Sequence, residues 1–337
     1  MPQLHTLLAA TAIGAWVSPL AAETPDLDRI DLAAERSAIE SFQALDQKLQ
    51  DVGWQLVRGN APFCTNAMPS VGLQLQDLAS YGGPEVARVA LEMQGDFAVQ
   101  TAARGSPAAS SGRFPANREI VRLDETDPNL WEAGKRRYWE RLTRVHDWID
   151  NRLSANGSIR FGFVDGSTAQ LSPVDVCATR FELSGEGKRA VATGDRVVIG
   201  MNFPGFAYRE EIFAGAVAHE LAHNLLGHRK WLEKNGRKRR NVRMAEREAD
   251  RLMPWLMANA GYDPEAAYRF MTTWGPRHDG GLFRGRTHDG WDERAEFIAA
   301  EIPLIRTLME SEGHADWSVH FARAIDIQQD GKVAHGD

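Results

Sequence analysis

The chain has 337 residues, of which 43% are hydrophobic, 25% charged and 9% aromatic, with a formal net charge of −7 at pH 7. These values lie near the averages for folded globular protein and exclude a mostly disordered, collagen-like or polytopic membrane chain. The acidic balance supplies no global field for nucleic acid, so none is expected as a partner.

From the N-terminus, Leu7 to Val17 is an uncharged apolar run followed by Ser18-Pro19 and the small pair Ala21-Ala22. That length suits a secretory signal segment, residues 1–22, and is too short to span a bilayer. A periplasmic or secreted location is therefore expected, with no integral span in the mature chain. The mature chain keeps two cysteines, Cys64 and Cys177. A bridge and a pair of buried free thiols are equally compatible with their spacing.

Apolar residues at Ile39, Phe42, Leu45, Leu49, Val52 and Leu56 recur at three and four residues, which predicts an amphipathic helix over Leu27 to Leu56. Residues 62–122 are rich in turn-formers, with strand-like runs at Asp96 to Gln100 and Glu119 to Leu123. A helical stretch, Leu130 to Leu153, precedes two further strand candidates, Ile159 to Val164 and Arg196 to Met201. The last of these is expected to pair with an extended substrate. Helices then dominate, over Glu210 to Gly227, Met244 to Ala260, Glu265 to Met271 and around Ile298 to Met309. Pro254 and Pro303 are expected to kink or divide theirs. The basic run from Arg229 to Arg243 reads as a solvated loop or helix end.

The strongest chemical signal is His219-Glu220-Leu221-Ala222-His223, inside the apolar helix that starts near Glu210. Residues at i and i+4 are about 40° apart around a helix axis, so both imidazoles point one way and suit a single zinc ion. Glu220 then lies beside the metal, placed to take a proton from bound water. A catalytic zinc needs a third protein ligand and an open position. On a straight helix His228 is about 180° from His219, so it is read as a surface or cap residue. The next helix offers Glu246-Arg247-Glu248-Ala249-Asp250. Glu246 and Asp250 share a face one turn apart, the first as ligand and the second to accept the free N–H of a ligating imidazole, while Glu248 projects to the far side.

The string Ala218 to His228, then Glu246 to Asp250, then Ala260-Gly261-Tyr262-Asp263-Pro264 resembles metallopeptidase family forty-eight, which includes HtpX and the CAAX prenyl proteases. It most resembles the soluble, secreted BepA-like branch. The resemblance implies His219, His223 and Glu246 as ligands of one zinc per chain, Glu220 as general base and Asp250 behind the metal. It also implies that His288, in Thr287-His288, approaches the zinc, either to stabilise the developing oxyanion or to plug the fourth position; an exposed loop histidine is the remaining reading. Gly105-Ser106-Pro107-Ala108, the run Ile159 to Val164 and Cys177 resemble a PDZ-like domain.

The expected fold is α+β: a mainly helical zinc metallopeptidase core with a short sheet, plus a PDZ-like β-rich domain. Its expected parts are a signal peptide (1–22), an N-terminal helical segment on the core (23–84), the PDZ-like domain (85–182), the protease core (183–320) and a C-terminal tail (321–337). The expected activity is zinc-dependent endopeptidase cleavage of protein or peptide substrates. The alternative is a zinc-containing binding or chaperone-like module with latent or absent proteolysis. Oligomeric state and cleavage preference have no signature in the sequence.

Overall fold

The three- and four-residue apolar spacing forms α1, Leu32–Gly59, whose N-terminus is capped by Asp31 accepting from the backbone N–H groups of Ala33 and Ala34. The structure, a computed structural model, describes residues 29–133, 139–278 and 289–325, so the expected signal peptide lies outside the described residues. Then follow β1 (Ala67–Ser70), β2 (Leu73–Asp77), α2 (Pro84–Leu91), β3 (Phe97–Ala102), α3 (Pro107–Ser110), β4 (Ile120–Leu123) and α4 (Trp139–Asn156). The chain continues through β5 (Ile159–Phe163), β6 (Thr168–Leu171), β7 (Val174–Cys177), β8 (Arg180–Ser184), β9 (Ala190–Ala192) and β10 (Arg196–Gly200). It closes with α5 (Glu210–Leu225), α6 (His228–Asn235), α7 (Arg239–Asn259), α8 (Glu265–His278), α9 (Trp291–Glu312) and α10 (Trp317–His320). The fold is α+β.

Two apolar cores organise these elements. One joins α4 to β2–β6 through Val71, Leu75, Phe97, Val99, Ile120, Val145, Leu153, Phe161 and Phe163. Its strands run β2-β3 and β4-β5-β6, antiparallel throughout, with a bridge from Ala98 to Glu119 between the two sheets. The larger core gathers α1, α5, α7, α8 and α9 around Leu49, Leu56, Phe213, Val217, Leu221, Met253, Trp255 and Ile298. Buried residues occur all round α5, so neighbouring elements enclose it. A Cβ on Gly215 would lie 2.6 Å from the Cβ of Phe270, and only glycine lets α8 approach this closely.

Three differences from the sequence expectation bear on function. In the sheet β8-β10-β9, β10 is central, paired parallel to β8 and antiparallel to β9. Both of its edges are used, so it has no free edge for a substrate; β8 and β9 are the outer strands, and β9 lies nearer α5. Second, α7 begins at Arg239, five residues before the predicted Met244, because Lys and Arg are good helix formers and the basic run supplies its first turns. Third, Pro254 and Pro303 divide neither α7 nor α9. Each removes one backbone hydrogen bond, but burial on both sides of Pro254, at Met253 and Trp255, holds α7 through it.

Cys64 and Cys177 form a disulfide, with Cα atoms 5.5 Å apart, next to the antiparallel pairing of β1 with β7. It closes a loop of 113 residues that contains the whole smaller core. In the chain-entropy account such a loop is worth about 4–5 kcal/mol. A Cys64→Ser, Cys177→Ser double variant should lose about 2–5 kcal/mol in urea unfolding, and an unchanged midpoint would show that the loop gains nothing from its closure. Among the described residues no helix is long and apolar enough to cross a membrane.

Candidate metal centre

Helix α5 carries His219 and His223 one turn apart, and α7 crosses beside it with Glu246 facing the pair. The ring nitrogens His219 Nε2 and His223 Nε2 are 3.2 Å apart. Glu246 lies 3.4 Å from the first through Oε2 and 3.6 Å from the second through Oε1. Among the described residues these three form the cluster able to hold a metal ion. Ligands about 2.0–2.1 Å from a tetrahedral centre stand about 3.3–3.4 Å from one another, close to the separations of the two ring nitrogens and the Glu246 carboxylate here. The side chains are 12%, 13% and 16% exposed, which leaves the fourth side open to a small molecule.

The electrostatics fit a cation. Asp250 is fully buried on the same face of α7, its Oδ1 3.1 Å from His219 Nδ1. Arg294 of α9 grips Asp250 with two hydrogen bonds of 2.7 Å. Although burial opposes it, this salt bridge and His219 hold the Asp250 carboxyl below the usual carboxylate range. Burial also pulls the His219 imidazole down, yet the Asp250 and Glu246 carboxylates outweigh it and raise its affinity for positive charge. His223, with less carboxylate around it, goes the other way under burial and stays neutral, the form in which imidazole ligates metal. Two imidazoles and a carboxylate are a donor set that could hold a metal cation. Replacing Asp250 with Asn should weaken zinc binding about 10–100-fold through the orientation of His219, measured by chelator competition. An unchanged affinity would leave Asp250 a purely structural partner of Arg294.

Glu220 follows His219 and carries a carboxyl raised by burial, an effect moderated by His219, Arg294 and the backbone N–H of Ala192. That N–H is available because of the register of β9. Thr193 donates to Arg196 O, so its neighbour Ala192 turns its own N–H to the free edge. Asn224, one residue beyond His223, secures the β9–β10 turn over α5, donating to Arg196 O at 2.9 Å and accepting from Gly194 N at 2.8 Å.

Two sequence expectations are corrected here. His228 is 1% exposed, not a surface or cap residue, and its Nδ1 lies 2.9 Å from His223 Nδ1. The straight-helix projection fails because α5 stops at Leu225 and Gly227, at φ 67°, turns the chain before α6 starts at His228. Glu248 does point away from Glu246 and Asp250, but into the interior. It is fully buried and meets His228 Nε2 at 3.0 Å. His288 lies outside the described residues. Asp289, which follows it, is buried against Arg247 of α7. No protein-family profile matches the chain, and no curated protein matches it.

Proposed function

We propose that this chain is a secreted or periplasmic zinc endopeptidase. The observation that carries the reading is the convergence of His219, His223 and Glu246, from two helices, with Glu220 beside them and Asp250 behind. The family resemblance points the same way, since it implies these five residues in these roles. The larger core is accordingly read as the metallopeptidase core, and the β2–β6 unit with α4 as the PDZ-like domain. The Cys64–Cys177 disulfide suits an oxidising compartment, in line with the signal segment read at residues 1–22.

A zinc ion held by His219, His223 and Glu246 would act as a Lewis acid on the scissile carbonyl and lower the pKa of the attacking water. Glu220 takes the proton of that water and returns it to the departing amine. Burial favours the first of these roles, because a carboxylate whose pKa is raised is a stronger base toward the proton of that water. Asp250, held by Arg294, keeps His219 turned toward the ligand cluster. An extended peptide would lie along the free edge of β9 beside Glu220, with the main chain of Ala190 and the carbonyl of Ala192 as hydrogen-bonding partners. The test is cleavage of an unfolded protein such as casein by the purified chain, abolished by a chelator and restored by zinc. Absence of cleavage in zinc-loaded protein would favour the binding-module alternative.

A further inference from the structure

Glu248 is the most heavily engaged carboxylate around the metal centre, although it faces away from the ligand cluster. Its Oε2 accepts from His228 Nε2 at 3.0 Å and from Arg323 at 2.9 Å. Its Oε1 accepts from the backbone N–H groups of Ala324 at 2.5 Å and Ile325 at 2.7 Å. A guanidinium and two backbone N–H groups, which can only donate, meet this group as an ionised carboxylate. An ionised carboxylate accepts and never donates, so the proton between Glu248 and His228 sits on His228 Nε2. The facing Nδ1 atoms of His228 and His223 are at hydrogen-bond distance, so one donates and the other accepts, and with His223 Nε2 turned to the ligand cluster the acceptor is His228. Its Nδ1 therefore carries a lone pair and faces His223 Nδ1 at 2.9 Å. His223 Nδ1 must carry the proton, which leaves the lone pair of His223 on Nε2, the nitrogen beside His219 and Glu246.

The donors at the far end come from the C-terminal segment. After α10, Phe321 packs near Trp255, and Arg251 holds the carbonyl of Ala322 at 3.0 Å. Arg323 also donates to Leu226 O, in the turn that aims His228. Ile325 is 2% exposed, packed with Leu232 of α6 and Ala245 of α7. The first residues of the expected tail are thus part of the core's packing.

We propose that His228 and Glu248 are positioning residues for His223, and that the C-terminal strap Arg323 to Ile325 completes the chain that fixes which nitrogen of His223 faces the metal. The proposal rests on the metal-centre reading above. It accounts for the burial of a histidine, a carboxylate and an arginine contact in one line, at a place where an apolar core would cost less desolvation.

The test uses the full chain and zinc alone. Chelator competition should show His228→Leu binding zinc about 10–100-fold more weakly than wild type, and Arg323→Ala weakened in the same direction. His228→Gln retains an acceptor for His223 and a donor for Glu248, and should recover most of the loss. A merely structural role would lower the melting temperature of the zinc-free chain without this order of zinc affinities. The second measurement needs no variant. Long-range proton–nitrogen correlation spectra of zinc-loaded, histidine-labelled protein should show His223 protonated on Nδ1 and His228 on Nε2. The opposite tautomer at His228 overturns the proposal, as does a folded His228→Leu protein with wild-type zinc affinity, and in both cases the metal centre stands; His223 protonated on Nε2 would overturn the proposal and the metal centre together. If wild type binds no zinc, the metal-centre reading falls and takes the proposal with it.

Discussion

Glu220→Gln should reduce peptide cleavage by about 10²–10⁴-fold or more while zinc content stays at one per chain. The substitution keeps the size and shape of the side chain and removes only its capacity to take a proton. Because Glu220 is absent from the ligand cluster of His219, His223 and Glu246, nothing that holds the ion changes. Cleavage of an unfolded protein substrate, measured beside metal content on the same preparation, separates the two effects. Cleavage surviving in the variant would remove Glu220 as the base, and loss of zinc would make it a ligand.

The second large effect is expected at Glu246. Replacing it with Ala deletes one vertex of the ligand triangle and leaves two imidazoles 3.2 Å apart with no carboxylate ligand. Zinc affinity should fall further than the about 10–100-fold expected at Asp250, because a direct ligand is lost. Cleavage should fall with it and return in part at high zinc. Equal affinities for Glu246→Ala and wild type would mean that the cation, if any, is held elsewhere.

The ligand cluster was legible in the sequence because it depends on local periodicity. His219 and His223 share a face of any regular helix, and so do Glu246 and Asp250; the structure needed only to bring the two faces together. His228 was misread because one glycine in the left-handed region, Gly227, breaks the helix that the projection assumed to continue. The far-side direction of Glu248 was legible in the helix period, and what it meets there was not. A position opposite the metal is solvent only if nothing packs there, and the strap that fills it comes from residues 323–325, far along the chain. Similarly, β9 is a three-residue strand outside the strand candidates of the sequence, and it is a strand because β10 pairs with it. The Cys64–Cys177 bridge spans 113 residues, and spacing alone carries no information on whether two such cysteines meet.

X-ray absorption at the zinc edge tests the central claim most directly. On purified wild-type protein carrying one zinc per chain, the account predicts two imidazole nitrogens at about 2.0–2.1 Å and carboxylate or water oxygens at about 2.0–2.2 Å, with no sulfur. The nitrogen count should drop in His219→Ala, as should zinc occupancy. A closed shell of three or more imidazoles, a sulfur ligand, or a chain that binds no zinc would contradict it.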